Sequence, residues 1–261
     1  MQVAYERPAG QTYTLFKDMT RQSHLLIAGT TGSGKSVAIN GIIGTLLYRV
    51  PGYDNQNAVQ LILIDPKRVE LAAYAHLPHT IAHAAGFFPE KWEAALKTAV
   101  RIMDRRYAEM ESKRQKEYLG GDLYVIIDEW AAIYKNGGSE CFKAVLRLVS
   151  EGRAAHVHVI MATQIPKANI IPTEIRENFS ARLCLRTNNA IQSRVIMDEN
   201  GCEDLPRYGQ GYYVTPEATT LYNIPYVKQD ELDRLINWWE TQVPAQMQKP
   251  KKRWLLSRIF S

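Results

Sequence analysis

Eight consecutive residues, Gly29-Thr30-Thr31-Gly32-Ser33-Gly34-Lys35-Ser36, carry the most specific chemistry in this chain. Glycines lacking a Cβ let successive backbone N–H groups converge on phosphate oxygens, and a helix starting where the loop ends adds its partial positive charge at the same point. In that pattern Lys35 reaches the β- and γ-phosphates of a nucleotide, and the Ser36 hydroxyl ligates Mg²⁺. A second stretch complements the first. Leu123-Tyr124-Val125-Ile126-Ile127-Asp128-Glu129 is an apolar run that ends in two carboxylates. At the carboxyl end of a strand, Asp128 is placed to hold the Mg²⁺ ion through water or Ser36, and Glu129 to polarise an attacking water. An acidic pair after a strand is otherwise a turn or helix cap, but that reading leaves the upstream loop without its usual complement. A third pair, Thr163-Gln164, closes the run from Val157 to Ala162, at the strand end where open parallel sheets bind ligands.

These residues need a scaffold that brings strand ends together, and the pattern of the chain supplies one. Leu25 to Ala28 reads as a short buried strand and Val37 to Tyr48 as a helix, so the loop sits where strand gives way to helix. Val59 to Ile64 is a central strand ending in Asp65-Pro66-Lys67. Asp65 as N-cap and Pro66 at the first helical position predict a helix from Arg68 to about Ala75, which leaves Lys67 without a role. From Pro89 onward Trp92, Ala95, Leu96, Ala99, Val100, Met103, Tyr107 and Met110 recur at helical steps, with Arg105 and Arg106 expected on the solvated face. Cys141 to Glu151 is helical and ends at Gly152-Arg153, where a basic side chain also suits the helix dipole. His156 and His158 flank strand residues and read as structural.

Further on come a loop with a short helix (Pro166 to Asn178), a strand (Arg182 to Arg186), a helix (Ile191 to Met197) and a hairpin (Gly209 to Val214, Thr220 to Ile224). Asp230 caps a last helix whose Trp238 and Trp239 are expected to cover the core. The alternation of strand and helix predicts an α/β fold with a doubly wound, mostly parallel sheet and helices on both faces. Residues 23–240 form that domain. Residues 1–22 are a lead-in hairpin turning at Pro8-Ala9-Gly10, and residues 241–261 are a basic tail.

Bulk properties narrow the classes. A 261-residue chain with 46% hydrophobic and 23% charged residues can bury one large core, and no apolar run is long enough to span a membrane. The start of the sequence has no secretory pattern, and three cysteines without metal-ligand spacing suit a reducing cytoplasm. The net charge of +5 is local: Lys249, Lys251, Lys252, Arg253 and Arg258 lie in a tail with no acidic residue, so the rest is neutral. Such a tail is a frayed, solvated terminus or a docking segment for polyanions, a membrane surface, or a relaxosome or secretion partner.

Several motifs in fixed order resemble the motor domain of the FtsK/SpoIIIE DNA translocases. They are His24 to Ser36; Ile64-Asp65-Pro66-Lys67 with Glu70-Leu71; Asp104-Arg105-Arg106-Tyr107; Gly152-Arg153-Ala154-Ala155; Ala162-Thr163-Gln164; and Ser193-Arg194-Val195-Ile196-Met197-Asp198 with Gly209 and Gly211. The resemblance implies a RecA-like P-loop ATPase that uses ATP and Mg²⁺, assembles as a homo-hexameric ring around double-stranded DNA and moves it in the cytoplasm. It implies Lys35, Asp128 and Glu129 as catalytic, Gln164 as γ-phosphate sensor and Arg153 as an arginine finger acting in trans. It also implies Val37 and Gly211 as nucleotide contacts beside the loop, and Arg194 as a second inter-subunit or nucleotide contact. Of the family's basic DNA-facing positions one is Ile165 and another Ala190; Arg176 keeps its charge, and Lys167 stands near as a substitute. The membrane segment and the C-terminal winged helix of septal translocases are not seen, and a mobile element is an expected setting. Two other readings share the motifs: a type VII protein-secretion ATPase, and a non-processive ATP-gated DNA-binding module.

Overall fold

A computed structural model describes residues 4–6, 12–14, 22–49, 58–224 and 226–242. Two short strands, β1 (Ala4–Glu6) and β2 (Thr12–Thr14), pair antiparallel as the expected lead-in hairpin. Its turn at Pro8-Ala9-Gly10 and all of the tail beyond Gln242 lie outside the described residues.

The chain then builds one mixed sheet from β3 (Leu25–Ala28), β4 (Gln60–Asp65), β5 (Thr80–Ala85), β6 (Leu123–Ile127), β7 (Val157–Thr163), β8 (Ala181–Cys184), β9 (Gln210–Val214) and β10 (Thr219–Asn223). Their spatial order is β10-β9-β8-β3-β7-β6-β4-β5. From β8 to β5 every neighbour is parallel, and β9 and β10 add an antiparallel edge. Because successive strand residues face opposite ways, each central strand feeds two cores. Leu26, Ile62, Val125 and Val159 point to the face covered by α2 (Pro89–Ser112), α3 (Trp130–Asn136) and α4 (Gly138–Glu151). Leu25, Ile27, Leu63, Ile126 and Ile160 point to the face covered by α1 (Lys35–Arg49) and α7 (Gln229–Gln242). Two short helices, α5 (Thr173–Arg176) and α6 (Ala190–Met197), flank β8. The doubly wound, mostly parallel architecture with helices on both faces is the one expected.

Four local expectations are corrected. The stretch from Arg68 to Ala75 is a turn with a single 3-10 segment at Ala72–Tyr74, because the Asp65 carboxylate accepts the N–H groups of Lys67, Arg68 and Leu71 and Arg68 stands at φ 60°. That local competition from a side chain replaces the helical ladder. β5 was not anticipated; it is the sheet's parallel edge, and its half-buried Thr-Ile-Ala-His-Ala-Ala sequence carries little strand signal. Arg106 is 4% exposed, its guanidinium donating to the carbonyls of Ala155 and His156, so only Arg105 is on the solvated face. Of the two tryptophans, Trp239 is buried with Nε1 donating to the Leu47 carbonyl, whereas Trp238 is 52% exposed, since adjacent helix positions point about 100° apart.

His158 is structural, as expected: it is buried, with Nδ1 at 2.9 Å from the Ser23 carbonyl and Nε2 at 3.1 Å from Asp122. His156 stays half-buried between Glu117 and Asp122. Burial lowers His24 to about 3 and His79 to about 4. Both pKa values are depressed, so the neutral rings cost nothing above about pH 6.5, and stability is lost as pH falls from there toward 4. Urea titrations at pH 7.5 and pH 5 are expected to show a drop of about 2 kcal/mol for each ring at the lower pH, partly offset by protonation of Asp128, whose pKa is raised to about 6; a stability higher at pH 5 than at pH 7.5 would mean these rings are solvated.

Candidate active site

The carboxyl ends of β3, β4, β6 and β7 meet at one edge of the sheet, and each delivers one part of the site. β7 lies between β3 and β6, so the phosphate loop and the acidic pair are separated by the strand that carries Thr163-Gln164. The loop is anchored at its base: Gly29 N–H donates to the Thr163 carbonyl at 3.3 Å and Thr30 N–H to the Arg186 carbonyl at 2.9 Å. A Cβ on Gly29 would stand 2.5 Å from Ser33 Oγ and 2.6 Å from Leu185 Cβ, so only glycine closes this turn. Gly32 and Gly34 have φ of 76° and 101°, which frees the intervening N–H groups to face a phosphate. Lys35, 5% exposed, opens α1, and Ser36 and Val37 follow in its first turn.

The acidic pair divides into two environments. Asp128 is 1% exposed, and neither carboxylate oxygen has a hydrogen-bond partner. Burial raises its pKa to about 6, against the pull of nearby Lys35 and with a push from Asp65 and Glu70. Two desolvated, unpaired carboxylate oxygens beside a phosphate loop fit a hard divalent cation. Mg²⁺ is commonly held by one or two protein oxygens and the substrate's phosphates, so Asp128 and Ser36 would suffice. Glu129, by contrast, is fully held. Its Oε1 accepts from Thr163 Oγ1 at 3.0 Å and from Gln164 N–H at 3.1 Å, and its Oε2 lies 3.1 Å from Lys67 Nζ. The Gln164 side chain in turn accepts from Thr31 Oγ1 at 2.9 Å. A continuous polar chain therefore runs from the loop through Gln164 and Glu129 to Lys67. The turn capped by Asp65 gives Lys67 its place, which the sequence left without a reason.

An ionised Asp128 with no partner burdens the nucleotide-free protein. Because its folded pKa lies above the usual carboxylate value, the penalty is present above about pH 6 and vanishes as pH falls toward 4. Asp128→Asn is therefore expected to stabilise the free protein at pH 7.5 by on the order of 2 kcal/mol, roughly 5 °C in Tm. The same change should remove the extra Tm gain that Mg²⁺ gives over ADP alone. A lower Tm for the variant without ligand would contradict the desolvation account.

Other predicted residues lie at varied distances from this edge. Arg194, on α6, donates to Asn200 Oδ1 at 2.8 Å in the following loop. Gly211 faces β8, where a Cβ would stand 2.8 Å from Leu185 Cδ2, so packing alone requires its glycine. Arg176 donates to the Val195 carbonyl at 3.1 Å, near the end of α6, and Lys167 is exposed in the loop after β7. Arg153 is exposed at the opposite end of β7, about 20 Å from Gln164 by the rise of seven strand residues. It belongs to no contact within its own phosphate site.

Sequence reasoning missed one neighbour of the loop. The turn before β9 brings Arg207 and Tyr208 over Gly32, where a Cβ would lie 3.7 Å from the guanidinium Nε and 3.8 Å from the Tyr208 ring. Nothing local in the sequence signals this, because the approach depends on β9 pairing antiparallel with β8.

A parallel sheet with the loop on one strand, carboxylates two strands away and the polar pair Thr163-Gln164 between them is the P-loop ATPase fold, and comparison with solved structures agrees. The cytoplasmic domain of the type VII secretion ATPase EccC from Thermomonospora curvata aligns at TM-score 0.71 and 20% identity over 89% of this chain and 30% of that one. The conjugation coupling protein TcpA of pCW3 aligns at 0.72 and 19% over 91% and 70%. These likenesses establish the fold. Residues 9–122 match the FtsK/SpoIIIE family, and DNA translocase FtsK of Helicobacter pylori is 33% identical over 247 residues, 89% of this chain and 28% of that protein. FtsK of Streptococcus pneumoniae is 32% identical over 249 residues, 87% of this chain and 32% of that protein. The likeness to FtsK/SpoIIIE proteins thus extends over most of this chain, which spans about a third or less of these relatives' length. Among the described residues no helix is long and apolar enough to cross a membrane.

Proposed function

We propose that the chain is an ATP-hydrolysing motor domain that moves double-stranded DNA as a cytoplasmic homo-hexameric ring. The observation that carries the hydrolytic part is the pairing of an unpartnered, buried Asp128 with a fully oriented Glu129 at the mouth of the phosphate loop. The backbone of Gly29 to Ser36, with Val37, cradles the phosphates and Lys35 neutralises them. Asp128 and Ser36 would hold Mg²⁺, which when bound would neutralise phosphate charge. Glu129 takes a proton from the attacking water on Oε2, whose one partner among the described residues is the 42% exposed Lys67 side chain. Gln164, bonded to Thr31, reports whether the γ-phosphate is in place. Arg194 and Gly211 line the nucleotide's approach, and Arg153 completes the site of a neighbouring subunit.

The DNA substrate follows from the relatives, which are DNA translocases by name. Lys167 and Arg176 lie in the segment that faces it, and the basic tail adds phosphate contacts. The test is the ATPase rate with linear duplex, with single strands and with no nucleic acid. Stimulation by duplex of tenfold or more is expected. A rate indifferent to all nucleic acid would refute the DNA assignment and leave a protein substrate, whereas duplex binding without turnover would make the chain a gated DNA-binding module.

A further inference from the structure

A buried arginine on α2 is spent on a turn that contains no acidic residue. Arg106 Nη1 donates to the carbonyls of Ala155 at 2.8 Å and His156 at 2.7 Å, and its guanidinium lies 4.4 Å over the Tyr118 ring. Among the described residues no carboxylate forms a salt bridge with it; Asp122 and Glu109 act on it only at longer range, and desolvation, the largest influence, lowers its pKa. Burying a cation whose direct partners are backbone oxygens and a ring is costly, so the turn must be worth holding.

That turn is residues 152–156, and all five of its carbonyls accept hydrogen bonds. The Gly152 carbonyl accepts from Ala155 and Val157, Arg153 from His156, Ala154 from Tyr118 N–H, and His156 from Leu123 N–H as well as Arg106. A Cβ on Gly152 would stand 2.4 Å from the Leu148 carbonyl oxygen and 2.5 Å from that of Val157, so glycine alone permits the close approach. Tyr107, next to Arg106, donates to the Glu151 carbonyl at 2.6 Å and fixes the helix end that enters the turn. Every carbonyl of the turn is used, and the Arg153 side chain is left over. The Arg153 side chain is exposed and has no hydrogen-bond or ion-pair partner among the described residues. It stands a full strand length from its own phosphate loop.

We infer that Arg106 is a positioning residue, holding turn 152–156 so that Arg153 is presented, rigid and unpaired, to the phosphate-bearing face of a second copy of this chain. The inference rests on the proposed trans role of Arg153. A preorganised exposed cation loses little entropy on meeting an anion, and a loose one loses more, so the turn's rigidity is converted into rate in the neighbour's site. The motif Asp104-Arg105-Arg106-Tyr107 and the motif Gly152-Arg153-Ala154-Ala155, far apart in sequence, then serve one purpose.

The experiment uses the full chain carrying Arg106→Lys, which keeps the charge and the aliphatic stem but ends one bond short of Nη1 and loses the planar group that lies over Tyr118. Thermal melting and the affinity for a fluorescent ADP analogue with Mg²⁺ are expected to stay within twofold of wild type in Kd and within a few degrees in Tm. The turnover number should fall roughly tenfold with KM little changed, a loss made in the transition state alone. Two readouts separate positioning from general damage. The double variant Arg106→Lys/Arg153→Ala should lose no more than Arg153→Ala by itself, since both act through one side chain. Mixing Arg106→Lys chains with Lys35→Ala chains should restore activity, as mixing with Arg153→Ala chains does.

Should Arg106→Lys melt early, Tyr118→Leu, which removes the ring under the guanidinium and leaves the backbone bonds, carries the same two readouts with a smaller loss of about threefold. Wild-type turnover in both variants, additive losses in the double variant, or an uncomplemented loss each overturns the inference. If instead Arg153→Ala itself keeps the wild-type rate, the trans reading fails first and is recognised by that result alone.

Discussion

Glu129→Gln yields a protein that still binds Mg²⁺ and ATP but turns ATP over at roughly a thousandth of the wild-type rate, the scale of a lost general base. The geometry explains why the loss falls on chemistry. Asp128, Ser36, Lys35 and the loop's backbone are untouched, so phosphate and metal contacts persist. Glutamine, however, has one oxygen where the site asks for two: Thr163 Oγ1 and Gln164 N–H donate to one position and Lys67 Nζ to the other. An amide nitrogen must face one of these donors, a mismatch worth about 1–3 kcal/mol if nothing moves. Lys67 is the partner able to swing into solvent, so the expected variant keeps its fold while losing the Lys67 contact. Filter binding of labelled ATP beside steady-state turnover measures both halves. Retention of most of the hydrolysis rate would assign water activation to another residue.

Arg153→Ala and Lys35→Ala each lower turnover at least a hundredfold, by the scale of arginine-finger effects, yet mixtures of the two regain part of it. In a head-to-tail ring one surface of a subunit meets a different surface of the next. An interface joining the intact loop of an Arg153→Ala chain to the intact arginine of a Lys35→Ala chain is whole. The position of Arg153 at the far end of β7 already rules out reach into its own site, so no contribution in cis competes with this explanation. Activity plotted against mixing ratio should pass through a maximum. If light scattering shows mixed rings and no ratio recovers hydrolysis, Arg153 serves only as a helix-end cation.

The parts legible in the sequence were those whose causes are local. The phosphate loop announces itself because glycine spacing, lysine and hydroxyl occupy eight adjacent positions, and the buried strands β3, β4, β6 and β7 because each is an unbroken apolar run. The turn after β4 was misread because a good N-cap and a good first-turn proline are equally good turn formers. What decided the outcome was the Asp65 carboxylate capturing three N–H groups, one of them six residues on. Arg106 and Arg105 are indistinguishable in a helical pattern, and only the carbonyls waiting at Ala155 and His156 draw one of them inside. The salt bridge between Lys67 and Glu129 joins residues 62 positions apart, beyond any local pattern. The same holds for Arg207 and Tyr208 over Gly32, which meet it through the pairing of distant strands.

β7 has a mechanical consequence. All seven of its residues are buried, and it is bonded along one side to β3 and along the other to β6. Such a strand cannot yield by a fraction of a repeat, since a slip of one residue would turn every inward side chain outward. Gln164 at one end and the Arg153 turn at the other are therefore fixed marks on one stiff ruler. In the proposed ring, a subunit that shifts to close on its own nucleotide would carry its arginine with it by the same displacement, and the timing between neighbours would then follow from rigid-body geometry rather than from a relay of side chains.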